Sequence, residues 1–455
     1  MKKLAIVTCC LLLVGAVAAW YFMRDGDKAR EVLPADATAV AMFEPADFLR
    51  ELGFDPAKAD KLVLNFEDAV EGIDLSKPVY AFASENGLSG ITLNVRDVDK
   101  LLKAFTLFSF ASEEQRGYQW VANRNCIGCI DKDKMLLCTP VPETEQDALR
   151  GEMVKLMTQS RRDVPLLEEA KQQKGVLRLC SSLGNLPKEY AKSLPDGASM
   201  KNAFLNSAFR IDRKAISLSA RIEGAENLSL PLAPIKGSLI GVGIEKPFVW
   251  LCVNMKGEEL LTHLRKIPEL RSALLALNMC IDADMMIKAI DGDVTFAVPK
   301  ADFEHPDFLF TATLRDTDFL KNADDWNQVT RRGASDFLID YEGAKVFFGF
   351  RDERLYISSS QMLANAAFRE TRGDAFQEAA KGKYLSASLG VGQILEAYPS
   401  VSIMLRAVPQ LREITDAVQR VSLTSDSPQS IELSLETDKP VKELISNLWA
   451  LMTGK

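Results

Sequence analysis

Cys126-Ile127-Gly128-Cys129 is the pattern in this chain with most chemical potential, since two thiols three residues apart can form a redox disulfide or supply half of a metal site. Either use needs a particular backbone. A redox CxxC opens a helix, where the dipole favours the thiolate. Here Cys-Ile-Gly-Cys-Ile instead runs into the charged turn Asp131-Lys132-Asp133-Lys134 and out through Met135-Leu136-Leu137-Cys138, which reads as a β-hairpin. In an extended strand residues three apart lie roughly 10 Å apart on opposite faces, so the two sulfurs could neither bond nor share a metal. The expectation is buried, apolar thiols. Cys252, within Phe248-Val249-Trp250-Leu251, has the same setting, while Cys180 and Cys280 complete six cysteines beyond the first ten residues.

Other chemical groups are sparse or scattered. There are two histidines, His263 on a leucine-rich helical pattern and His305 before Pro306, which gives neither a zinc cluster nor a histidine-based triad. Gly241-Val242-Gly243 and Gly390-Val391-Gly392 begin a GxGxxG loop but carry Lys246 and Leu395 where the third glycine belongs. Asp282 and Asp284 lack the remaining ligands of a calcium loop. The element Arg-Asp-x-Asp occurs twice, at Arg96-Asp97-Val98-Asp99 and Arg315-Asp316-Thr317-Asp318, each before a helical pattern. Metal or glycan ligation is one reading of these acids. Capping of helix N-termini is the stronger one. No catalytic, cofactor-binding or metal-binding residue is assigned, and no cofactor is expected. A carboxylate pair for glycan hydrolysis stays open, because such pairs are made by folding rather than by spacing. A thiol redox protein using Cys126 and Cys129 is the other enzymatic alternative.

The elements that must carry these residues recur. Segments repeat in the same order at separations of about 208 to 220 residues, too long for a solenoid. Ala39–Phe43 answers Val249–Met255, and Val79–Ala83 answers Val294–Val298. Leu93–Asp99 answers Thr313–Asp318, and Ile130–Met135 aligns without a gap on Phe350–Leu355. Val176–Leu179 and Ile216–Ala220 answer Tyr384–Ala387 and Ile431–Leu435. The last strands alternate strictly, the habit of antiparallel sheets with one wet face. The CxxC falls over Val346 and Gly349 and so is not repeated. The expected fold is α+β: an N-terminal membrane segment followed by two tandem duplicated units, each a mostly antiparallel sheet with packed helices. The expected boundaries are 1–28 for the membrane anchor or signal, 29–225 for the first unit, 226–245 for a Pro- and Gly-bearing linker, and 246–455 for the second.

With 455 residues, 47% hydrophobic and 26% charged, the composition is that of a globular chain of two or three domains. Its 55 basic and 63 acidic residues leave a net charge of −8 and no basic stripe, which excludes nucleic acid as the expected partner. Lys2 and Lys3 precede an apolar run from Leu4 to Met23 that ends in Trp20 and Tyr21. At about 1.5 Å per residue this run can just cross a hydrocarbon core of roughly 30 Å, its lysines predicting a cytoplasmic N-terminus and an exported remainder. The membrane is thus one expected partner, with location at the inner membrane. Cleavage after Ala16-Val17-Ala18 and lipidation at Cys9 or Cys10 are the alternatives.

Leu33-Pro34-Ala35-Asp36-Ala37-Thr38-Ala39-Val40, the Phe48–Gly53 helix and Gly72-Ile73-Asp74-Leu75-Ser76-Lys77-Pro78-Val79 resemble a family of bacterial envelope proteins classed as a domain of unknown function, often lipoproteins of anaerobic gut-type bacteria. The resemblance implies location and architecture and brings no activity. The chain departs from it in lacking a well-placed lipobox. The expected function is a non-enzymatic binding or structural module facing an envelope protein or polymer.

Overall fold

The computed structural model describes residues 27–54, 71–159, 163–184, 199–226, 232–279, 281–302, 307–320, 326, 329–341 and 344–453. The apolar leader, Cys280 and His305 lie outside them. No helix among the described residues is long and apolar enough to cross a membrane. The fold is α+β with antiparallel strand pairing, and the chain divides into two compact units, 1–227 with 440–450, and 228–439 with 451–455.

In the first unit a 3-10 turn, Ala29–Val32, leads into β1 (Ala37–Phe43) and α1 (Pro45–Glu51), whose N-terminal proline has the right φ and lacks only an N–H that a helix start leaves unbonded. The chain continues through β2 (Val79–Ser84), β3 (Ser89–Asn94), α2 (Val98–Leu107) and the strands β4 (Ala111–Gln115), β5 (Tyr118–Ala122), β6 (Ile127–Ile130) and β7 (Lys134–Cys138). It closes with α3 (Glu143–Thr158), α4 (Pro165–Gln172), β8 (Leu177–Ser182), β9 (Phe204–Asp212) and β10 (Ala215–Glu223). The strands lie in the order β4-β5-β6-β7-β3-β2-β1-β8-β9-β10, every neighbouring pair antiparallel. Tight hairpins make this possible: Arg116 and Gly117, both at positive φ, turn β4 into β5 with the twist that antiparallel strands need. Alternation along β1 sends Val40 and Met42 inward, where they meet Tyr80, Phe82, Ile127 and Leu167 in one core.

The second unit begins with β11 (Leu232–Ala233), β12 (Val249–Lys256) and three helices, α5 (Gly257–Leu264), α6 (Pro268–Asn278) and α7 (Ala283–Lys288). Next come β13 (Ile290–Val298), β14 (Leu309–Leu314), β15 (Val329–Arg331), β16 (Asp336–Tyr341), β17 (Ala344–Arg351) and β18 (Arg354–Ser358). Helices α8 (Gln361–Ala366) and α9 (Ala375–Glu378) precede β19 (Leu385–Gly390), and α10 (Val391–Ala397), α11 (Pro399–Arg406) and α12 (Pro409–Ala417) precede β20 (Val418–Ser425) and β21 (Ser430–Thr437). The antiparallel order is β15-β16-β17-β18-β14-β13-β12-β19-β20-β21, with β11 pairing on Asn254 and Met255 past the end of β19. Leaving out β11, this order matches that of the first unit strand for strand. Phe319, Phe337, Phe348 and Phe350 form its aromatic core, with Phe337 stacked on Phe348 at 5.2 Å.

Two features differ from the expected boundaries. Of the expected linker 226–245, the described residues are built into the second unit: Ile235 and Leu239 are buried, and β11 lies there. Most of the C-terminal helix α13 (Val441–Thr453) belongs to the first unit, because Val441 is buried in that core and its N–H donates to the Arg213 carbonyl at 2.9 Å. An amphipathic helix goes where its apolar stripe is covered, whatever its place in the chain.

Candidate functional site

Cys126 stands just before β6, half-buried, with its Sγ donating to Thr139 Oγ1 at 3.2 Å, whereas Cys129 lies inside β6 and is buried. Burial pushes the Cys129 thiol up to about 12, with the Asp131 charge adding to it and Arg150 opposing it. The Cys138 and Cys180 thiols are likewise pushed up to about 12 by burial, and burial raises Cys252 too. A nucleophilic or redox thiol requires the opposite shift. All five described cysteines beyond the leader are free.

The acids singled out by spacing are apart and locally employed. Asp97 caps α2, accepting from the Lys100 N–H at 3.1 Å, and Asp282 caps α7 by accepting from Met285 N–H. Asp316 accepts from Asp318 N–H at 3.2 Å and pairs with Arg315, while Asp284 pairs with Arg265. Neither GVG sequence forms a phosphate loop: Gly241 and Gly243 lie in turns at positive φ, whereas Gly390 closes β19 and Gly392 lies within α10. His263 is on α5, its ring within 2.8 Å of the Glu259 carbonyl. No group of three or more histidine, cysteine or acidic side chains suited to a metal occurs among the described residues.

What the spacing did not reveal is a pair of buried polar clasps, one in each unit. In the second unit Asp293 of β13 accepts from the backbone N–H groups of Lys236, Gly237 and Ser238 at 2.7 to 2.8 Å, from the Ser238 hydroxyl at 2.9 Å and from Asn254 Nδ2 at 3.1 Å. Gly237, at φ +90°, allows successive N–H groups to converge on one carboxylate. In the first unit Asn94 of β3 accepts from the N–H groups of Lys28 and Ala29 and donates to Asp27. Both clasps fix the stretch of chain that precedes the first long strand.

The surface feature with chemical consequence is apolar. Met279 is 78% exposed and Leu275 64% exposed at α6, Ile403 71% and Met404 65% on α11. These helices lie at opposite ends of the strands, since α5 follows β12 directly and α10 follows its antiparallel neighbour β19. Single exposed apolar residues are ordinary, but adjacent ones on one helix mark contact surfaces.

No family model and no curated protein matches the chain. Among solved structures, crystal form IV of TP0453 covers 42% of this chain and 79% of its own at 13% identity and a TM-score of 0.28. Crystal form I of the same protein covers 43% and 79% at 11% identity, again with a TM-score of 0.28. A likeness at that score carries no argument about fold or function.

Proposed function

We propose that the chain is a membrane-tethered, extracytoplasmic module of the cell envelope, made of two tandem copies of one α+β unit, that acts by holding an envelope protein or polymer. The observation that carries the binding role is the exposed apolar surface of α6 and α11. Leu275, Leu277 and Met279, partly buried already, each leave roughly 1 to 2 kcal/mol of burial for a partner to recover. The tandem origin is supported by the matched strand order and by the six pairs of sequence segments that fall on corresponding strands.

Photo-crosslinking residues placed at Leu277 and Met404 of the full chain in its own envelope test this reading. A discrete adduct at either position, lost when Leu275 and Met279 or Ile403 are replaced by serine, is expected. Absence of any adduct, together with release of soluble glycan fragments by the purified chain, would replace the binding role by hydrolysis. Protease shaving of intact and osmotically opened cells tests the location: digestion only inside the cytoplasm would remove the envelope reading.

A further inference from the structure

The described chain opens on a buried acid. Asp27 is 5% exposed, and one oxygen, Oδ1, accepts from Ala29 N–H at 3.0 Å, Arg30 N–H at 3.4 Å and Asn94 Nδ2 at 2.5 Å, with the Tyr80 phenol beside the carboxyl. Asn94, itself buried on β3, also donates to the Pro78 carbonyl at 3.1 Å, so the clasp spans the turn, β3 and the entry to β2. Thr92 Oγ1 donates to the Ala29 carbonyl at 2.8 Å, and Ala29, Val32 and Leu33 are fully packed in the core behind it.

The charged groups on the surrounding elements each have another partner. Lys28 and, from β7, Lys134 face Glu31 at 3.4 and 3.6 Å; Arg30 meets Glu168 of α4 at 2.5 Å. From α3 comes the neutral Gln159, donating to the Glu31 and Leu33 carbonyls. Tyr80 is the titratable group contributed by β2. Desolvation outweighs the hydrogen bonds and pushes the Asp27 carboxyl from 3.8 up to about 7.

We propose that Asp27 is a proton-controlled latch: protonated, it keeps the segment 27–33 seated on the first unit's sheet, and ionised, it lets that segment open. The direction follows from proton binding. A seated Asp27 holds its proton to a higher pH than one released to water, so opening becomes easier as pH rises from about 4 to about 7 and then levels off. The full difference corresponds to as much as about a thousandfold in the opening equilibrium. This inference goes beyond the binding role proposed above and does not depend on it.

Hydrogen exchange on the full chain at amides 28–33, corrected for the intrinsic pH dependence of exchange, reads the latch. Protection that falls at least tenfold between pH 5 and pH 8 in the wild type, and stays level in Asp27→Asn, is expected. Level protection in the wild type, or an equal fall in the variant, overturns the proposal. Should Asp27→Asn not fold, carboxyl NMR of the wild type decides: a midpoint near 7 for Asp27 supports the latch, and one below 5 overturns it.

Discussion

Replacing Asp293 by alanine tests whether the second unit depends on a buried carboxylate to organise its entry segment. Asp293 is fully buried, and five donors converge on it. Two of them have somewhere else to go: the Ser238 hydroxyl lies 3.3 Å from Thr313 Oγ1, and the Asn254 amide already donates to the Pro234 carbonyl at 2.9 Å. The backbone N–H groups of Lys236, Gly237 and Ser238 do not. An unpaired buried donor costs about 1 to 3 kcal/mol, and these three sit on exposed or half-buried residues that water can reach once the carboxylate is gone, which holds each near the lower end. The expected loss is about 3 kcal/mol for Asp293→Ala. Asp293→Asn keeps one acceptor oxygen but turns an NH2 toward backbone donors, for a loss of about 2 to 3 kcal/mol. Urea unfolding followed by fluorescence reads this locally, because Trp250 is buried on β12, the strand next to β13. A loss below about 1 kcal/mol for the alanine variant would refute the account of the clasp.

Two further substitutions probe packing and thiol chemistry. A Cβ at Gly257 would sit 1.7 Å from the Ile287 carbonyl oxygen, so Gly257→Ala must displace backbone at the start of α5 and should cost about 3 kcal/mol, measured in the same unfolding assay. At pH 8 a thiol at about 12 is thiolate to only about one part in ten thousand, so Cys129, Cys138 and Cys180 should resist an aromatic disulfide reagent that labels half-buried Cys126 first. Rapid labelling of Cys129 in the folded protein would contradict its burial.

Local periodicity was legible and remote pairing was not. The alternating strands near Ile216 and Ile431, the charged turns at Asp131 and Asp352, and the helix following Asp97 can be read from residues within a few positions of each other, because pleat, turn and cap are local devices. The clasps join residues far apart in the chain, Asp27 to Asn94 and Asp293 to Lys236, and neither aspartate sits in a recognisable spacing. Segment 226–245 shows the same limit. Its glycines signal a break in regular structure, and the structure shows what the break is for: Gly237, at positive φ, lets the chain present its N–H groups to Asp293. The apolar stripe of α13 announces that it must be buried without naming the sheet that does so.

The separation of binding from stability can be tested within one helix. Of the described side chains of α6, Leu274 is the buried one, at 7% exposure, whereas its neighbour Leu275 points outward at 64%. Leu274→Ala removes packed atoms and leaves a cavity, so it should cost about 2 kcal/mol in unfolding. Leu275→Ser exchanges one solvated group for another and should stay within about 0.5 kcal/mol. If α6 is a docking helix, the order reverses in the partner assay: Leu275→Ser removes the adduct at Leu277 while Leu274→Ala, at a temperature where it remains folded, retains it. Loss of the adduct in proportion to lost stability in both variants would mean that the partner reads the integrity of the unit and not the face of this helix. Retention in both would remove α6 from the binding surface and leave α11 to carry it.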